Sequence, residues 1–405
     1  MKCLEPLHES TPPERFSYKV LDGAVIVHCL SIAGITTFKE YAEKAFMPHL
    51  QSHLQGTERL DAVWDTYRPE SLKESTCQKR GKGVRRKVSG ETKLPRNWSD
   101  FLHDSSNKKE VFDFLTYKVA NFVFPEGKVV YITSEESVLM VRSSSPMPHC
   151  NHEEADTRIV VHVLHGLQQG LTTVQVRTVD TDVVVLIGVF HKLLLSQPKA
   201  YIGSPLEWER TTDFTASMLC PPALAQKGHK HYQYLTRFLD ATQPRLFGEK
   251  GRSRSGKLGW RLKRLRTFVY LASHPFEPLD SNCENFCKIE RLIVLVYDKT
   301  STSLSINQTR RELFCLKNVT MERMPPTQNA LLQHMKRAVY QASIWVRSTE
   351  VQEMIPSPSE YGWEQVDNVW SPLWLTVPEL SKDCQDLISV HARETVPTAN
   401  VAKRA

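Results

Sequence analysis

The sequence predicts an α/β fold in which a central, mostly parallel sheet is flanked by helices. Short apolar segments rich in β-branched residues alternate with amphipathic segments of helical period along the first half of the chain. Residues 128–136, 154–170 and 172–190 then follow the order strand, helix, strand. A connection that contains a helix joins parallel strands, so this βαβ unit indicates a parallel sheet.

The first elements follow from the local spacing of apolar residues. FSYKVLDGAVIVHCL (16–30) predicts a strand that runs into a helix, and RLDAVWDTY (59–67) predicts a short strand that ends on Asp65. Helical spacing is present in TFKEYAEKAFMPHLQSHLQ (37–55) and in NKKEVFDFLTYKVANFVF (107–124). The basic segment between them, residues 78–87, has no apolar period and predicts a loop or a solvated helix.

The βαβ unit is defined by its boundary residues as well as by its apolar pattern. KVVYITSEE (128–136) is β-branched and predicts a strand. EADTRIVVHVLHGLQQG (154–170) predicts a helix, because acids in a first turn and a terminal residue such as Gly170 are typical of helix ends. TTVQVRTVDTDVVVLIGVF (172–190) predicts the next strand.

The pattern divides the chain into a core and less regular segments. We predict a mobile N-terminus (1–15), an α/β core (16–200), an aberrant and disordered segment (201–266), a continuation of the core with a helix-rich region (267–395), and a tail (396–405). The segment 201–266 is set apart because neither a helical nor a strand period runs through it.

Composition narrows the class of protein without identifying a function. The 405 residues carry a net charge of +7, which is compatible with a polyanionic partner. The N-terminal residues lack the apolar core of a signal peptide, and no run of about 18 apolar residues occurs, so we expect no membrane partner. Nine irregularly spaced cysteines do not form a disulfide framework. We expect an intracellular location, with the nucleus included.

Zinc is not expected in this chain. Cys283 and Cys287 lack a matching second pair, and no fourth ligand accompanies the close group of His149, Cys150 and His152.

Acidic residues follow three predicted strands and begin one predicted helix. Asp22 and Asp65 each end a strand, Asp180 and Asp182 follow VQVRTV, and Glu154 and Asp156 begin the helix 154–170. Carboxyl ends of parallel strands share one edge of a sheet, where sites form. Clustered carboxylates repel each other, and a divalent cation would relieve the repulsion. A solvated acidic surface is the alternative.

Simpler roles also account for several of these residues. Asp22 could open a turn before Gly23, and Asp65 could cap the segment that follows it. Acids at positions 153 and 154 favour any helix N-terminus through the dipole, and Glu153 is expected to be non-catalytic. We expect His152 to lie in a loop or cap, and we expect surface positions for His162 and His165.

The acidic segments resemble the nuclease core of the flap-endonuclease group within the PIN-like superfamily. VLDGAVIV, AVWDTYRPESLKESTCQKRGKGVRRK, the E-A-D of HEEADTR and the D-T-D of RTVDTD are similar to its four acidic motifs and occur in the same order. The resemblance implies hydrolysis of phosphodiester bonds with two Mg²⁺ or Mn²⁺ ions. It implies Asp22, Asp65, Glu154 and Asp180 as ligands, with Asp156 and Asp182 as further ligands or as their partners.

A closer resemblance extends over most of the chain. HEEADTR, YLASHPFEPL, PPTQNALLQHMKRAVYQA and WSPLWLTVPELSKDCQ are similar to segments of multi-copy animal proteins that are often associated with mobile elements. That pattern has a Ser-Gly-Cys-Asp-Thr motif after the D-x-D strand, and this chain does not. Read from the third base of the Phe238 codon, FLDATQPRLF can encode Ser-Gly-Cys-Asp-Thr-Thr-Ser-Ala-Phe. We therefore interpret residues 201–266 as translated out of frame.

A basic cluster follows the second acidic motif, where the flap-endonuclease group begins to contact DNA. It comprises Lys79, Arg80, Lys82, Arg85, Arg86 and Lys87. The resemblance implies that these residues bind phosphates, although a solvated basic loop explains them equally well.

The expected function is a metal-dependent nuclease that acts on nucleic acid, DNA rather than RNA. The alternatives are a non-catalytic nucleic-acid-binding or scaffold protein, and a relic of a mobile element without function.

Overall fold

The fold is an α/β sheet with a helical C-terminal region. A computed structural model describes residues 15–79, 83–180, 182–183, 186–187, 201–205, 215–217, 270–271, 274, 276–316 and 324–375. The strands of the main sheet are β1 (Tyr18–Asp22), β2 (Arg59–Val63), β3 (Val129–Ser134), β4 (Ser137–Val141), β5 (Thr173–Arg177), β6 (Tyr201–Pro205) and β7 (Thr215–Ser217). A separate hairpin is formed by β8 (Trp363–Val366) and β9 (Val369–Pro372).

Helices precede or follow most of these strands. Those of the core are α1 (Gly23–Cys29), α2 (Phe38–Tyr41), α3 (Met47–Leu54), α4 (Leu72–Lys79), α5 (Trp98–Phe101), α6 (Ser105–Ala120) and α7 (Ala155–Gln168). A π-helical turn, Ala42–Phe46, joins α2 to α3. The C-terminal region contains α8 (Glu284–Tyr297), α9 (Ile306–Phe314), α10 (Gln328–Val346) and a short 3₁₀ helix, Pro358–Tyr361.

The sheet confirms the predicted α/β class. Its strand order is β4-β3-β2-β1-β5-β6-β7, and the five central strands β3, β2, β1, β5 and β6 are parallel to one another. The two edge strands, β4 and β7, are antiparallel. The chain builds the sheet outward from β1 in one direction through β2 and β3, and in the other direction through β5 and β6. The gap between β1 and β5 is therefore the point where the strand order reverses.

Several boundaries differ from the sequence predictions. The strand predicted over 172–190 ends at Arg177, and residues 182–183 and 186–187 are helical. The apolar run of this segment is buried against α7, and burial alone does not distinguish a strand from a helix. The edge strand β4 was not predicted, because its residues are only partly buried and lack alternation.

The segment predicted to be disordered, 201–266, contributes two short strands. Residues 201–205 pair with β5, and residues 215–217 pair with β6. The rest of that segment lies outside the described residues, as do residues 1–14 and the predicted tail 396–405.

Each face of the sheet has its own apolar core. On one face, Leu21, Leu60 and Ile132 pack with α1, α2, α3, α5 and α6. On the other face, Tyr18 and Val176 pack with α7 and with the helical residues after β5. The connections that follow β1 and β5 therefore leave the sheet on opposite faces, which opens a crevice between the two strand ends.

A buried polar network lies on the α7 face of β2 and corrects one prediction. Arg59 donates to both carboxylate oxygens of Asp61 at 2.7 and 2.6 Å, and its guanidinium lies 4.0 Å from the centre of the Tyr131 ring. His162 contacts the other side of Asp61 at 2.7 Å. His162 and His165 were predicted at the surface, but both are buried in this network. Helical periodicity places them on the sheet-facing side of α7, where Asp61 and Arg59 offset their burial.

The C-terminal region contacts the loops that follow β2 and β4. The backbone carbonyl of Trp370 in β9 accepts from the Lys79 ammonium, its indole N–H donates to the carbonyl of Glu70, and its backbone N–H donates to the Ser75 hydroxyl oxygen. Asn151 exchanges two hydrogen bonds with the backbone of Glu353. Within the described ranges, no helix combines the length and the apolar character needed to cross a lipid bilayer.

The contact between α7 and β1 leaves no room for a side chain at Gly166. A Cβ there would lie 2.5 Å from the ring of Tyr18, which is fully buried. We predict that Gly166→Ala lowers the free energy of unfolding by about 1–3 kcal/mol, the usual cost of overpacking, although alanine favours helices. Urea denaturation measures the change. Gly90→Ala is the matched control, since a Cβ there has an ordinary contact of 3.6 Å, and equal stability of the two variants would contradict the prediction.

Candidate functional site

The acidic residues predicted as a site meet at the carboxyl ends of β1, β2 and β5. Asp22 is the last residue of β1, Asp65 lies two residues beyond β2, and Asp180 lies three residues beyond β5. The N-terminus of α7 reaches the same edge, because the backbone N–H of Ala155 donates to Asp65 at 3.0 Å. The site therefore occupies the crevice at the point where the strand order reverses, which is where open α/β sheets place their ligands.

Asp22 is buried and held by two donors. One carboxylate oxygen accepts from the backbone N–H of Val25 at 3.2 Å, so Asp22 also caps α1, where the simpler interpretation had expected a turn before Gly23. The other oxygen accepts from the Thr178 hydroxyl at 3.1 Å. Burial, with the charge of Asp65 next, raises the pKa of Asp22 to about 7, and the two hydrogen bonds only partly offset this rise. Asp22 thus lies in a position that disfavours its own negative charge.

Asp65 is neutralised by a lysine. The Lys73 ammonium lies 2.7 Å from the same oxygen that accepts from Ala155, and it donates to the Glu153 carbonyl as well. Burial would raise the pKa of Asp65, but the Lys73 charge and its hydrogen bond outweigh burial and lower that pKa. The second carboxylate oxygen faces the Tyr67 hydroxyl at 3.4 Å. Asp65 therefore anchors α4 and α7 through one carboxylate oxygen, while its other oxygen has the long contact with the Tyr67 hydroxyl.

The first turn of α7 contributes two acids and two tethers. Glu154 is the N-cap residue, although its side chain makes no capping bond, and Asp156 lies in the first turn. Glu153 accepts from the Ser71 hydroxyl at 2.5 Å and from the Arg68 backbone N–H, so it ties the start of α7 to the segment that precedes α4. His152 lies in the loop before them, buried, with its ring 2.6 Å from the Glu350 carbonyl.

Three of the carboxylates could together bind a metal ion. Asp156, Asp180 and Asp182 each place an oxygen within 4.8 Å of the others, and all three are partly buried. The backbone N–H of Asp182 donates to Asp180 at 2.8 Å, so the chain turns into a helical conformation after Asp180 instead of remaining extended. This turn, rather than the predicted strand periodicity, brings the two aspartates to the same side.

The remaining predicted acids surround this triad without belonging to it. Burial, then the charges of Glu154, Asp180, Asp65 and Asp22, raise the pKa of Asp156 well above its ordinary value. The charge of Asp180 also contributes to the raised pKa of Asp22. The six predicted acids thus form a single electrostatic cluster, in which a bound cation would relieve the mutual repulsion.

The predicted basic cluster is largely engaged in structural contacts. Arg85 pairs with Glu110, and Arg86 donates to the Lys93 carbonyl at 2.8 Å. Lys79 is bonded to β9, whereas Lys87 is exposed. Arg80 and Lys82 lie outside the described residues.

Sequence reasoning missed two partners of the acids. Lys73 lies within the same quoted motif as Asp65, eight residues on, and it is the second residue of α4, at the same edge of the sheet. Thr178 follows β5 directly and faces Asp22. The spacing of Lys73 could have indicated its role, but nothing in the sequence pairs Thr178 with a residue 156 positions away.

No family model, no curated protein sequence and no solved structure matches this chain. The resemblance to the PIN-like superfamily therefore remains a prediction from the four motifs.

The raised pKa of Asp22 predicts a pH-dependent cost to stability. Its stabilising protonated form is fully present below the unfolded pKa near 4, and this stability is lost as the pH rises through about 7. We predict that Asp22→Asn, which keeps an acceptor for Val25, raises the free energy of unfolding by about 1–3 kcal/mol at pH 8 and by much less at pH 5. Urea unfolding in EDTA measures both values. A variant that is no more stable than the parent at pH 8 would contradict this account of the site.

Proposed function

We propose that this protein is a metal-dependent nuclease that hydrolyses phosphodiester bonds in nucleic acid. The convergence of Asp156, Asp180 and Asp182 within 4.8 Å carries the proposal. The triad stands where parallel sheets place their ligands, and three further acids surround it. Burial and mutual repulsion make such a group of carboxylates costly, and a bound cation would lower that cost while keeping them ionised.

The donor set favours Mg²⁺ or Mn²⁺. All six side chains offer hard carboxylate oxygens, and neither a cysteine nor a histidine belongs to the triad. Two ions are proposed, one at the triad and one towards Asp22 and the weakly engaged oxygen of Asp65. Ions bound there would lower the pKa of a coordinated water and offset the charge of a phosphate. The protein itself positions the carboxylates, and at low pH it keeps Asp22 protonated.

Cationic side chains on two sides of the acids support a polyanionic substrate. Lys73 and Lys108 act electrostatically on Asp65 from the β2 side. Arg177 ends β5 on the other side of the cluster. DNA is proposed as the substrate, with the exposed Lys87 as a further contact to its phosphates, and a nuclear location would suit this role.

We predict that Asp180→Asn abolishes cleavage. In an assay with labelled single-stranded, duplex and flap oligonucleotides, the full chain should cut in Mg²⁺ or Mn²⁺ and not in EDTA. Asp180→Asn should lose about 10²-fold or more in rate, because the ion loses a charged ligand. Asp100→Asn is the matched control. It removes the same charge, and the Asp100 side chain is 42 % exposed on α5.

Metal binding is measured on the same proteins by thermal unfolding. Mn²⁺ should raise the unfolding temperature of the parent and of Asp100→Asn, but not that of Asp180→Asn. Cleavage that survives Asp180→Asn at the parental rate would contradict the proposed site, whatever the metal dependence.

A non-catalytic nucleic-acid-binding or scaffold protein is the second candidate. The observation in its favour is that the Ser-Gly-Cys-Asp-Thr motif is missing from the sequence. A protein of this kind would retain salt-dependent DNA binding without cleavage, because phosphate contacts alone produce the salt dependence. A relic without function would fail to fold or to bind.

The frame interpretation predicts the nucleotide sequence that encodes this region. Genomic DNA and transcript across codons 195–270 should contain a +2 or −1 reading frame that encodes Ser-Gly-Cys-Asp-Thr at codons 238–243. A transcript that restores this frame adds the missing acid and favours the nuclease. Sequence reads in which no such frame exists would remove the basis for treating residues 201–266 as aberrant.

A further inference from the structure

An open cleft lies beside the acidic cluster, on the other side of Asp22. It has a volume of about 180 Å³ and is bounded by the ends of β1 and β5 and by α1 and α3. Its polar lining consists of Asp22, Cys29, His49, His53, Arg177 and Thr178, and the rest of the wall is apolar. Asp22 and Thr178 also belong to the acidic site, so the cleft and the site share a boundary.

The fold places the basic side chains of the cleft on facing walls. Leu21 of β1 pairs in register with Arg177 of β5, so both side chains point to the face that α1 and α3 cover. His49 and His53 lie one turn apart on α3, with their rings 4.6 Å apart in an edge-on arrangement. Arg177 thus meets two imidazoles across the cleft.

Arg177 and the nearby Lys19 bring positive charge to this region, next to the Asp22 carboxylate that the cleft shares with the acidic site. Burial, then the Arg177 charge, lowers the pKa of Lys19, which is on the same face of β1 as Leu21. Burial, then Arg177 and His49, lowers the pKa of His53 to about 3, so His53 is a neutral N–H donor at pH 7. Cationic groups gathered in a partly buried place favour an anion, as gathered carboxylates favour a cation.

We propose that this cleft binds a phosphate group of the nucleic-acid strand that enters the acidic site. The proposal rests on the proposed nuclease function and identifies a second contact with its substrate. A guanidinium matches phosphate in a two-point geometry, and the imidazoles and the Thr178 hydroxyl add neutral donors. The volume holds several water molecules and therefore accommodates a phosphate with its ester oxygen.

The positive charge of the cleft and the metal-bound carboxylates beside it together fix the orientation of the bound strand. A phosphate in the cleft lies at the cationic wall, and its neighbour along the strand would face the carboxylates only when these hold their cations. The apolar side of the cleft, formed by Leu21, Ile26 and Leu30, provides a surface for the sugar. The cleft therefore positions the strand, while the acids carry the chemistry.

Binding of inorganic phosphate to the full chain tests the cleft without any cleavage. We expect calorimetry in EDTA to detect one site that Arg177→Gln weakens about tenfold or more, because a charge-assisted bond is lost. His49→Ala with His53→Ala should weaken it as well, and Arg177→Lys should restore part of it. Arg96→Gln, which removes an exposed arginine outside the cleft, should leave the affinity unchanged. Equal phosphate affinity in the parent and in both folded cleft variants would overturn the proposal.

Oligonucleotides then identify the source of the phosphate. Anisotropy in Ca²⁺ compares strands with a 5′-phosphate and a 5′-hydroxyl, for the parent and for Arg177→Gln. A loss confined to the phosphorylated strand assigns a terminal phosphate to the cleft, and an equal loss for both strands assigns an internal one. Unchanged affinity for both strands overturns the proposal.

The two proposals can fail separately. Cleavage that depends on Asp180 but has the same KM in Arg177→Gln would overturn the cleft and leave the nuclease standing. Phosphate binding that depends on Arg177, in a chain that cleaves no oligonucleotide, would overturn the nuclease and keep an anion site.

Discussion

Mutual repulsion among carboxylates is the constraint on which the rest of the site depends. Asp22 is the last residue of β1, and Asp65 and Asp180 follow the neighbouring strands β2 and β5 by two and three residues, so the fold keeps the three carboxylates at one edge of the sheet. Neighbouring groups compensate locally, with the Lys73 ammonium at Asp65 and the Thr178 hydroxyl at Asp22. Burial, and after it the charges of Glu154, Asp180, Asp65 and Asp22, raise the pKa of Asp156, and within the described part of the chain no cation that acts on Asp156 offsets these contributions.

The same edge of the sheet separates charge into two zones. On one side of Asp22 lie the acids, and on the other lie Arg177 and the α3 histidines, with Lys19 three residues earlier in β1. Each zone is costly in isolation, because burial weakens the solvation of every member. The phosphates of a substrate would compensate the cationic zone, and bound metal cations would compensate the acidic zone. The same need for compensating charge therefore underlies both the proposed chemistry and the proposed positioning of the strand.

Much of this arrangement could be predicted from the sequence, since the order of apolar segments indicated the parallel sheet and the acids at strand ends. The turn after Asp180 could not, because a buried apolar run fits a strand and a helix equally well. The buried positions of His162 and His165 were missed for a related reason. Their burial depends on Arg59 and Asp61, which lie in another strand about 100 residues away. Pairings of this kind depend on tertiary contacts and leave no local pattern.

The bonds between Trp370 and the segment 70–79, which contains α4, also determine when the site can be completed during synthesis. These contacts join residues about 300 positions apart in sequence, as do, over about 200 positions, those between Asn151 and Glu353. Contacts of high sequence separation form late, because closing the intervening chain costs entropy before any contact repays it. The segment that carries Lys73 therefore lacks its final support until the ribosome has released β9, so a nascent chain would have the sheet long before it has a rigid site.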